Sequence, residues 1–196
     1  MICALVLAAG ESRRMGAPKL LLPFGDKTII EHIVDNINQS KADKILLVLG
    51  SHREEILSKM ADRPVLIVVN HRYKKGMLSS IQAGFESLPK DTAAALVCLG
   101  DQPLIPFSIL DDLIEAYEQT KKGIVLPVYK KKRGHPILID QKYRQEVLDL
   151  SPDIGLRSLV RNHPQDVQEA EVDTPHILKD IDKPEDYARE LKIKEE

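Results

Sequence analysis

Leu7-Ala-Ala-Gly-Glu-Ser-Arg-Arg-Met-Gly-Ala-Pro-Lys-Leu-Leu-Leu-Pro23 runs straight on from an apolar segment at residues 3–7. The junction decides the fold, because in an open α/β sheet ligands bind at the carboxyl ends of the strands. Ala8, Ala9 and Gly10 leave the backbone bare there, so its N–H groups can approach a phosphate or a base edge. Arg13, Arg14 and Lys19 place three positive charges within seven residues, a set suited to a triphosphate. A solvated basic loop is the competing reading, and for Arg13 or Arg14 alone it stands equally well. Two familiar phosphate motifs are absent. Five residues separate Gly10 from Gly16, so there is no Gly-x-Gly-x-x-Gly, and Gly16-Ala-Pro-Lys19 is not a Walker sequence.

Outward from this loop, residues 3–7, 45–49, 65–69, 94–99 and 124–128 are short apolar runs without alternation. That is the habit of parallel strands covered on both faces. Helical patterns lie between them. Thr28-Ile-Ile-Glu31 reads as a capping box ahead of Ile30, Ile33, Val34 and Ile37, and residues 54–60, 78–88 and 108–120 read as further helices. The alternation implies a three-layer α/β/α fold on a mixed, mostly parallel sheet with right-handed crossovers. Beyond Pro127 the pattern shortens: a strand over 136–139, helices near 141–150 and 155–162, a strand over 168–172, a helix over 184–191 and a frayed tail over 192–196.

Composition sets the outer limits. The chain has 196 residues, 43% hydrophobic and 30% charged, which fits one domain with a sizeable core. A net charge of −2 gives no global field for nucleic acid. Two cysteines, Cys3 and Cys98, exclude a disulfide framework or a four-cysteine zinc site, and both read as small buried hydrophobes. No targeting segment and no apolar run of membrane-spanning length is visible, so the expectation is a soluble, cytoplasmic protein with neither nucleic-acid nor membrane partners.

Four further places carry candidate chemistry. Asp101, in Gly100-Asp-Gln-Pro103, closes an apolar strand and suits Mg²⁺, which takes one or two carboxylates plus phosphates and water; it equally suits a turn cap before Pro103. Asp182 opens Asp182-Lys-Pro-Glu185, a good capping box and also a second metal carboxylate, with Asp180 as its alternate. Ser79 and Ser80, after Gly76, read as helix caps or as base contacts. His135, between Gly134 and Pro136, reads as a surface residue or an acceptor contact, and the basic run Lys130 to Arg133 as a solvated tract or a guide for an anion. The other histidines have no metal-ligand spacing, and there is no Gly-x-Ser-x-Gly elbow.

The first loop resembles the nucleotide-binding signature of MobA-like nucleotidyltransferases, which have a glycosyltransferase-A-type fold. Gly76-Met-Leu-Ser-Ser-Ile-Gln-Ala-Gly-Phe85 resembles that family's second base-contacting segment, Gly100-Asp-Gln-Pro103 its metal-binding Gly-Asp-x-Pro, Arg133-Gly-His-Pro136 its acceptor side, and Asp180-Ile-Asp-Lys-Pro-Glu-Asp-Tyr187 its C-terminal motif. The likeness spans nearly the whole chain in the expected order. Guanylyl-transferring relatives usually have Leu-Ala-Gly-Gly and Gly-Pro-Leu-Ala-Gly. Leu7-Ala-Ala-Gly10 and Gly76-Met-Leu-Ser-Ser80 are instead similar to the cytidylyl branch that acts on molybdenum cofactor.

The resemblance implies one nucleotidyltransferase domain over residues 1–196, with a nucleotide-binding half (1–128) and an acceptor-binding half (129–196). It implies Mg²⁺ as cofactor, CTP as donor and a molybdopterin-type phosphorylated pterin as acceptor. The product would be a cytosine dinucleotide cofactor, and a molybdoenzyme of the xanthine dehydrogenase type would be a transient partner. Leu7, Ala8, Ala9, Gly10, Arg14, Lys19, Gly76, Ser79 and Ser80 would bind nucleotide, and Asp101 and Asp182 the metal. Arg14, Lys19 and Asp101 would be catalytic, and Gly134, His135 and Pro136 would meet the acceptor. Three alternatives remain: guanylyl transfer to the same cofactor, cytidylyl transfer to a sugar or polyol phosphate, and a non-catalytic carrier of the cofactor.

Overall fold

A computed structural model describes residues 1–152 and 154–195. Its central sheet contains β1 (Ile2–Ala8), β4 (Lys44–Leu49), β5 (Val65–Val69), β6 (Ala94–Leu99), β7 (Ile124–Tyr129), β8 (Lys132–Arg133), β9 (Ile137–Asp140) and β10 (Val167–Glu171). A separate antiparallel pair, β2 (Pro23–Phe24) and β3 (Lys27–Thr28), ends the first loop. The sheet order is β10-β7-β9-β6-β1-β4-β5, with β8 paired to β7. Pairing is parallel except where β9 lies antiparallel between β6 and β7 and where β8 turns back on β7. Because β9 comes from the C-terminal stretch, both stretches of the chain share one sheet.

The helices are α1 (Ile29–Ile37), α2 (Arg53–Lys59), α3 (Met77–Glu86), α4 (Phe107–Thr120), α5 (Arg144–Asp149), α6 (Arg157–Asn162) and α7 (Pro184–Glu195). Strand β1 divides its side chains between the two faces, as a period of two requires. Ala4 and Val6 join a core with Ile30 and Val34 of α1 and Leu110 and Leu113 of α4. Cys3 and Leu5 join one with Phe85 of α3, Val147 of α5 and Leu159 of α6. These are the three layers expected. The capping box forms as read: Thr28 Oγ1 accepts from the Glu31 N–H, and Glu31 accepts from the Thr28 N–H. No helix among the described residues is long and apolar enough to cross a membrane.

Two expectations change. Strand β5 is not fully buried: it is the sheet edge, and Leu66 is 48% exposed, Ile67 38% and Val69 38%. A short apolar run looks alike at the centre and the edge of a sheet, since topology decides which it is. The tail over 192–196 is not frayed as far as Glu195, because α7 continues to that residue. Glu190, buried in α7, pairs with Arg189 at 2.9 Å, Lys179 at 3.9 Å and His176 at 3.5 Å, and Leu191 packs on the core, which holds the helix late in its course. Glu196 lies outside the described residues.

Candidate functional site

Leu7 of β1 stands beside Leu99 of β6, so the loops that follow them emerge together at the carboxyl edge. The approach is close: a Cβ on Gly100 would lie 2.6 Å from the Leu7 carbonyl oxygen, so only glycine fits there. The first loop is held by its own residues. Ser12, at a φ of 53°, turns the chain so that its carbonyl accepts from Met15 N–H at 3.0 Å and its hydroxyl from Lys19 N–H at 3.1 Å. Met15 and Leu20 anchor it to the core. What remains is a cleft of about 430 Å³, whose wall includes Leu7, Ala9, Gly10, Arg14 and Lys19.

The charged groups of the first loop in this cleft are already paired. The Lys19 ammonium lies 2.6 Å from Asp101 Oδ2 and 3.2 Å from Asp182 Oδ1, and Arg14 meets Asp182 Oδ2 at 2.9 Å. Residues far apart in sequence thus share one cation. Arg13 stands aside, 77% exposed and paired with Glu11 at 2.8 Å. Among the described residues the Asp182 carboxylate meets only Lys19 and Arg14, while Asp186 Oδ2, in the first turn of α7, accepts from the N–H groups of Asp182 and Lys183 just ahead of the helix.

Asp101 Oδ1 is buried with no hydrogen-bond partner. An orphaned carboxylate oxygen costs desolvation energy and is an open position for a cation. Among the described residues no group of three or more His, Cys, Asp or Glu side chains could hold a metal. Two carboxylates beside a cationic loop therefore fit a hard divalent ion whose other ligands are phosphate and water.

Ser79 and Ser80 have different fates. Asn70, itself buried, donates through Nδ2 to both hydroxyls at 3.0 Å. Ser79 donates onward to the carbonyls of Arg72 and Gly76, at 3.0 and 2.8 Å, and does not line the cleft. Its hydroxyl is internal. Ser80 lines the cleft, and its own proton meets no acceptor among the described residues. Neither serine caps α3, whose N-cap is Gly76.

A second cavity, of about 510 Å³, adjoins the cleft along Gly76, Met77 and Leu99. Lys75, Arg133 and Arg157 supply its cations, and Met77, Ile154, Leu156 and Leu178 its apolar walls. Gly134 and His135 line it. A Cβ on Gly134 would stand 2.3 Å from the Ile177 carbonyl oxygen, which also accepts the His135 N–H at 3.1 Å. Burial pulls the His135 imidazole below its ordinary pKa, against a hydrogen bond to the Val97 carbonyl and the charge of Asp101, so the ring is neutral near pH 7. Its Nδ1 is buried without a partner, as is Gln102 Oε1. Gln102 Nε2 donates to Asp180 Oδ1 at 2.7 Å, which fixes the amide's orientation. Burial first, then the charge of Asp101, push the Asp180 carboxyl upward, against that hydrogen bond.

The structure thus brings Arg14, Lys19, Asp101 and Asp182 together beside Leu7, Ala9, Gly10, Gly76 and Ser80. It sends Asp180 to the second cavity. Ala8 is buried beneath the loop in the core, and Ser79 is internal; Pro136 lies behind the second cavity against Ile33 and Leu110. Sequence reading passed over Ser12, Asn70, Gln102, Lys75 and Arg157. Gln102 had a usable signal, an amide between Asp101 and Pro103 at a strand end; Asn70 and Arg157 had none.

A family model described as "MobA-like NTP transferase domain" matches residues 4–167. The chain is 29% identical to the nicotine blue oxidoreductase of Paenarthrobacter nicotinovorans over 97% of its length and 96% of the relative's. It is 27% identical to the molybdenum cofactor cytidylyltransferase of Escherichia coli K12 over 95% and 93%. Among solved structures, Rv0371c of Mycobacterium tuberculosis H37Rv superposes with a TM-score of 0.87 at 29% identity, covering 97% of each chain. That protein has also been solved in complex with manganese, with a TM-score of 0.82, 28% identity and coverage of 97% of this chain and 98% of that one.

Proposed function

The chain belongs to the family of MobA-like NTP transferase domains, and on that premise we propose that it transfers CMP from CTP to the terminal phosphate of a molybdopterin-type cofactor, releasing pyrophosphate. The observation that carries nucleotidyl transfer is the cluster of Lys19, Arg14, Asp101 and Asp182 around the first loop, with Asp101 Oδ1 open. Phosphoryl chemistry of this kind depends on positioning and charge neutralisation more than on a covalent nucleophile. Lys19 and Arg14 hold the triphosphate and offset the charge that gathers on the departing pyrophosphate. Asp101 and Asp182 hold Mg²⁺, which supplies Lewis-acid polarisation of the phosphate oxygens when bound. The acceptor phosphate is already ionised, so its attack on the α-phosphorus needs no strong general base.

Cytidine is favoured by the unspent Ser80 proton, available to an acceptor atom of the base, and by Ala9 where guanylyl-transferring relatives have glycine. The acceptor reading draws on the second cavity. Cations from Lys75, Arg133 and Arg157 suit a phosphate, and the apolar walls suit a broad ring system better than a small polyol or sugar phosphate. Gln102 Oε1 and His135 Nδ1 offer hydrogen-bond acceptors to N–H donors on its edge. A non-catalytic carrier would need neither Lys19 against a triphosphate nor paired carboxylates for a metal. Identity alone does not separate this reading from the activity named for the oxidoreductase relative; the cation–carboxylate cluster supports nucleotidyl transfer.

The test crosses CTP, GTP, UTP and ATP with molybdopterin cofactor and with sugar and polyol phosphates, read by pyrophosphate release, beside an arm that follows reduction of the dye nicotine blue. Release with CTP and the pterin alone is expected. Pyrophosphate from another pairing moves the substrate assignment. Dye reduction without pyrophosphate overturns it.

A further inference from the structure

Lys19 sits where a second cation would be expected. Its ammonium touches both Asp101 and Asp182, and the lysine side chain is only 13% exposed, with Asp101 at 21%. Screening by water is therefore weak at the point of contact. Arg14 adds a second positive charge on Asp182 from a more open position, 66% exposed. Within this cluster two carboxylates and two cations cancel and the carboxylates are engaged, Asp101 Oδ1 excepted, while Lys74 adds a further positive charge to the cleft wall.

We propose that Lys19 is a stand-in cation, so that metal and nucleotide load together: the triphosphate draws Lys19 and Arg14 off Asp101 and Asp182, and only then are both carboxylates free for the divalent ion. This rests on the reading of the cleft as a metal–nucleotide site. A bare dication entering first meets a close positive charge and must break an ion pair for each full carboxylate it gains. A nucleotide gives Lys19 and Arg14 new anionic partners as it leaves the carboxylates vacant. The coupling is reciprocal by linkage: metal tightens nucleotide by the factor with which nucleotide tightens metal. Lys19 thereby positions the carboxylates in the empty cleft and the phosphates in the filled one.

The test is Mn²⁺ binding by the full chain, followed by the loss of the free-ion paramagnetic resonance signal, with and without a CTP analogue carrying a methylene bridge between the α- and β-phosphorus. The wild type should gain about tenfold or more in Mn²⁺ affinity with the analogue, within the usual span of such couplings. The distinctive arm omits nucleotide. Lys19→Met, though it removes a phosphate-binding charge, should bind Mn²⁺ several-fold more tightly than the wild type, and the analogue should then add less. Lys74→Met is the control, because Lys74 lines the same cleft with the same charge but pairs with no carboxylate among the described residues, so its removal frees none; bare Mn²⁺ affinity should stay within about twofold of the wild type.

Unchanged or weaker bare-metal affinity in Lys19→Met overturns the proposal. So does an equal gain in Lys74→Met, which would mark a general field effect. If Lys19→Met does not fold, Arg14→Met carries the same test with a smaller expected gain, about twofold given its exposure. An absence of any Mn²⁺ binding, with or without analogue, sinks the metal reading itself. Intact metal and nucleotide binding without the Lys19 effect sinks the stand-in alone.

Discussion

The first-loop cleft and the cavity beside it share the loop after β6 and the segment before α7, yet they stand in different electrostatic conditions. The loop after β6 turns Asp101 into the cleft and Gln102 into the cavity; the segment before α7 turns Asp182 one way and Asp180 the other. The Ile181 N–H donates to the Asp101 carbonyl at 2.9 Å, so the loops are stitched together at the divide. On the cleft side Arg13, Arg14, Lys19, Asp101 and Asp182 all have charged partners. On the cavity side two buried acceptors, Gln102 Oε1 and His135 Nδ1, have none. Apart from Asp101 Oδ1, the cleft cluster is paired, and binding there exchanges ion pairs. The cavity is unsatisfied, and binding there fills vacancies.

The contrast breaks most decisively at Asp101. Asp101→Asn keeps the shape and removes the charge, and turnover measured by pyrophosphate release should fall on the order of 10³-fold, with a raised Mg²⁺ requirement for what remains. Asp182→Asn should follow it, because among the described residues the Asp182 carboxylate meets only Lys19 and Arg14. Lys19→Ala should cost on the order of 10²-fold in kcat with the fold intact. A near-normal Asp182→Asn would leave Asp101 as the one carboxylate with a metal role.

Legibility in sequence divides along the same line. Most of the cleft was readable because one contiguous stretch, residues 7–19, carries it, and because Asp101 ends an apolar strand. The three-layer fold was readable from unbroken apolar runs and from the Thr28–Glu31 cap. The cavity was readable only at Gly134 and His135, through the resemblance, since Lys75, Gln102, Arg157 and Asp180 come from other separate segments and nothing local marks their convergence. The failures have the same cause. The β5 edge, the inward turn of Ser79 and the continuation of α7 each depend on a neighbour supplied by tertiary structure. Asn70 is the plainest case, a single asparagine that orders both serines from outside any motif.

Sharpening the cavity side calls for smaller effects. Gln102→Met and His135→Phe should each raise the acceptor KM about tenfold while leaving the CTP KM unchanged, since a lost hydrogen bond to a buried partner costs roughly 1–2 kcal/mol. A merely structural role would lower the melting temperature and move both constants together. The pH profile adds a sign. Burial keeps the His135 pKa below the ordinary value, so its lone pair is present at neutral pH and is lost only as pH falls through that lowered pKa. Acceptor KM should be flat above pH 7 and rise in acid, and His135→Phe should abolish the rise. Ser80→Ala returns to the cleft and should narrow the preference for CTP over GTP by several-fold in a competition assay, with kcat for CTP little changed.

The smallest effect is the sharpest comparison within one helix turn. Ser79 and Ser80 share the Asn70 amide, but only Ser80 faces the cleft. Ser79 spends its proton on the Arg72 and Gly76 carbonyls and joins the chain before α3 to the helix. Ser79→Ala therefore removes an internal neutral hydrogen bond and leaves carbonyls that nearby backbone donors partly satisfy. The cost should be about 1 kcal/mol of stability, a few degrees in melting temperature for a chain of this size. Base preference and acceptor KM should both be unchanged. A shift in CTP preference as large as that of Ser80→Ala would mean that the whole Asn70-linked turn reads the base, and the division between an internal and a ligand-facing serine would have to be abandoned.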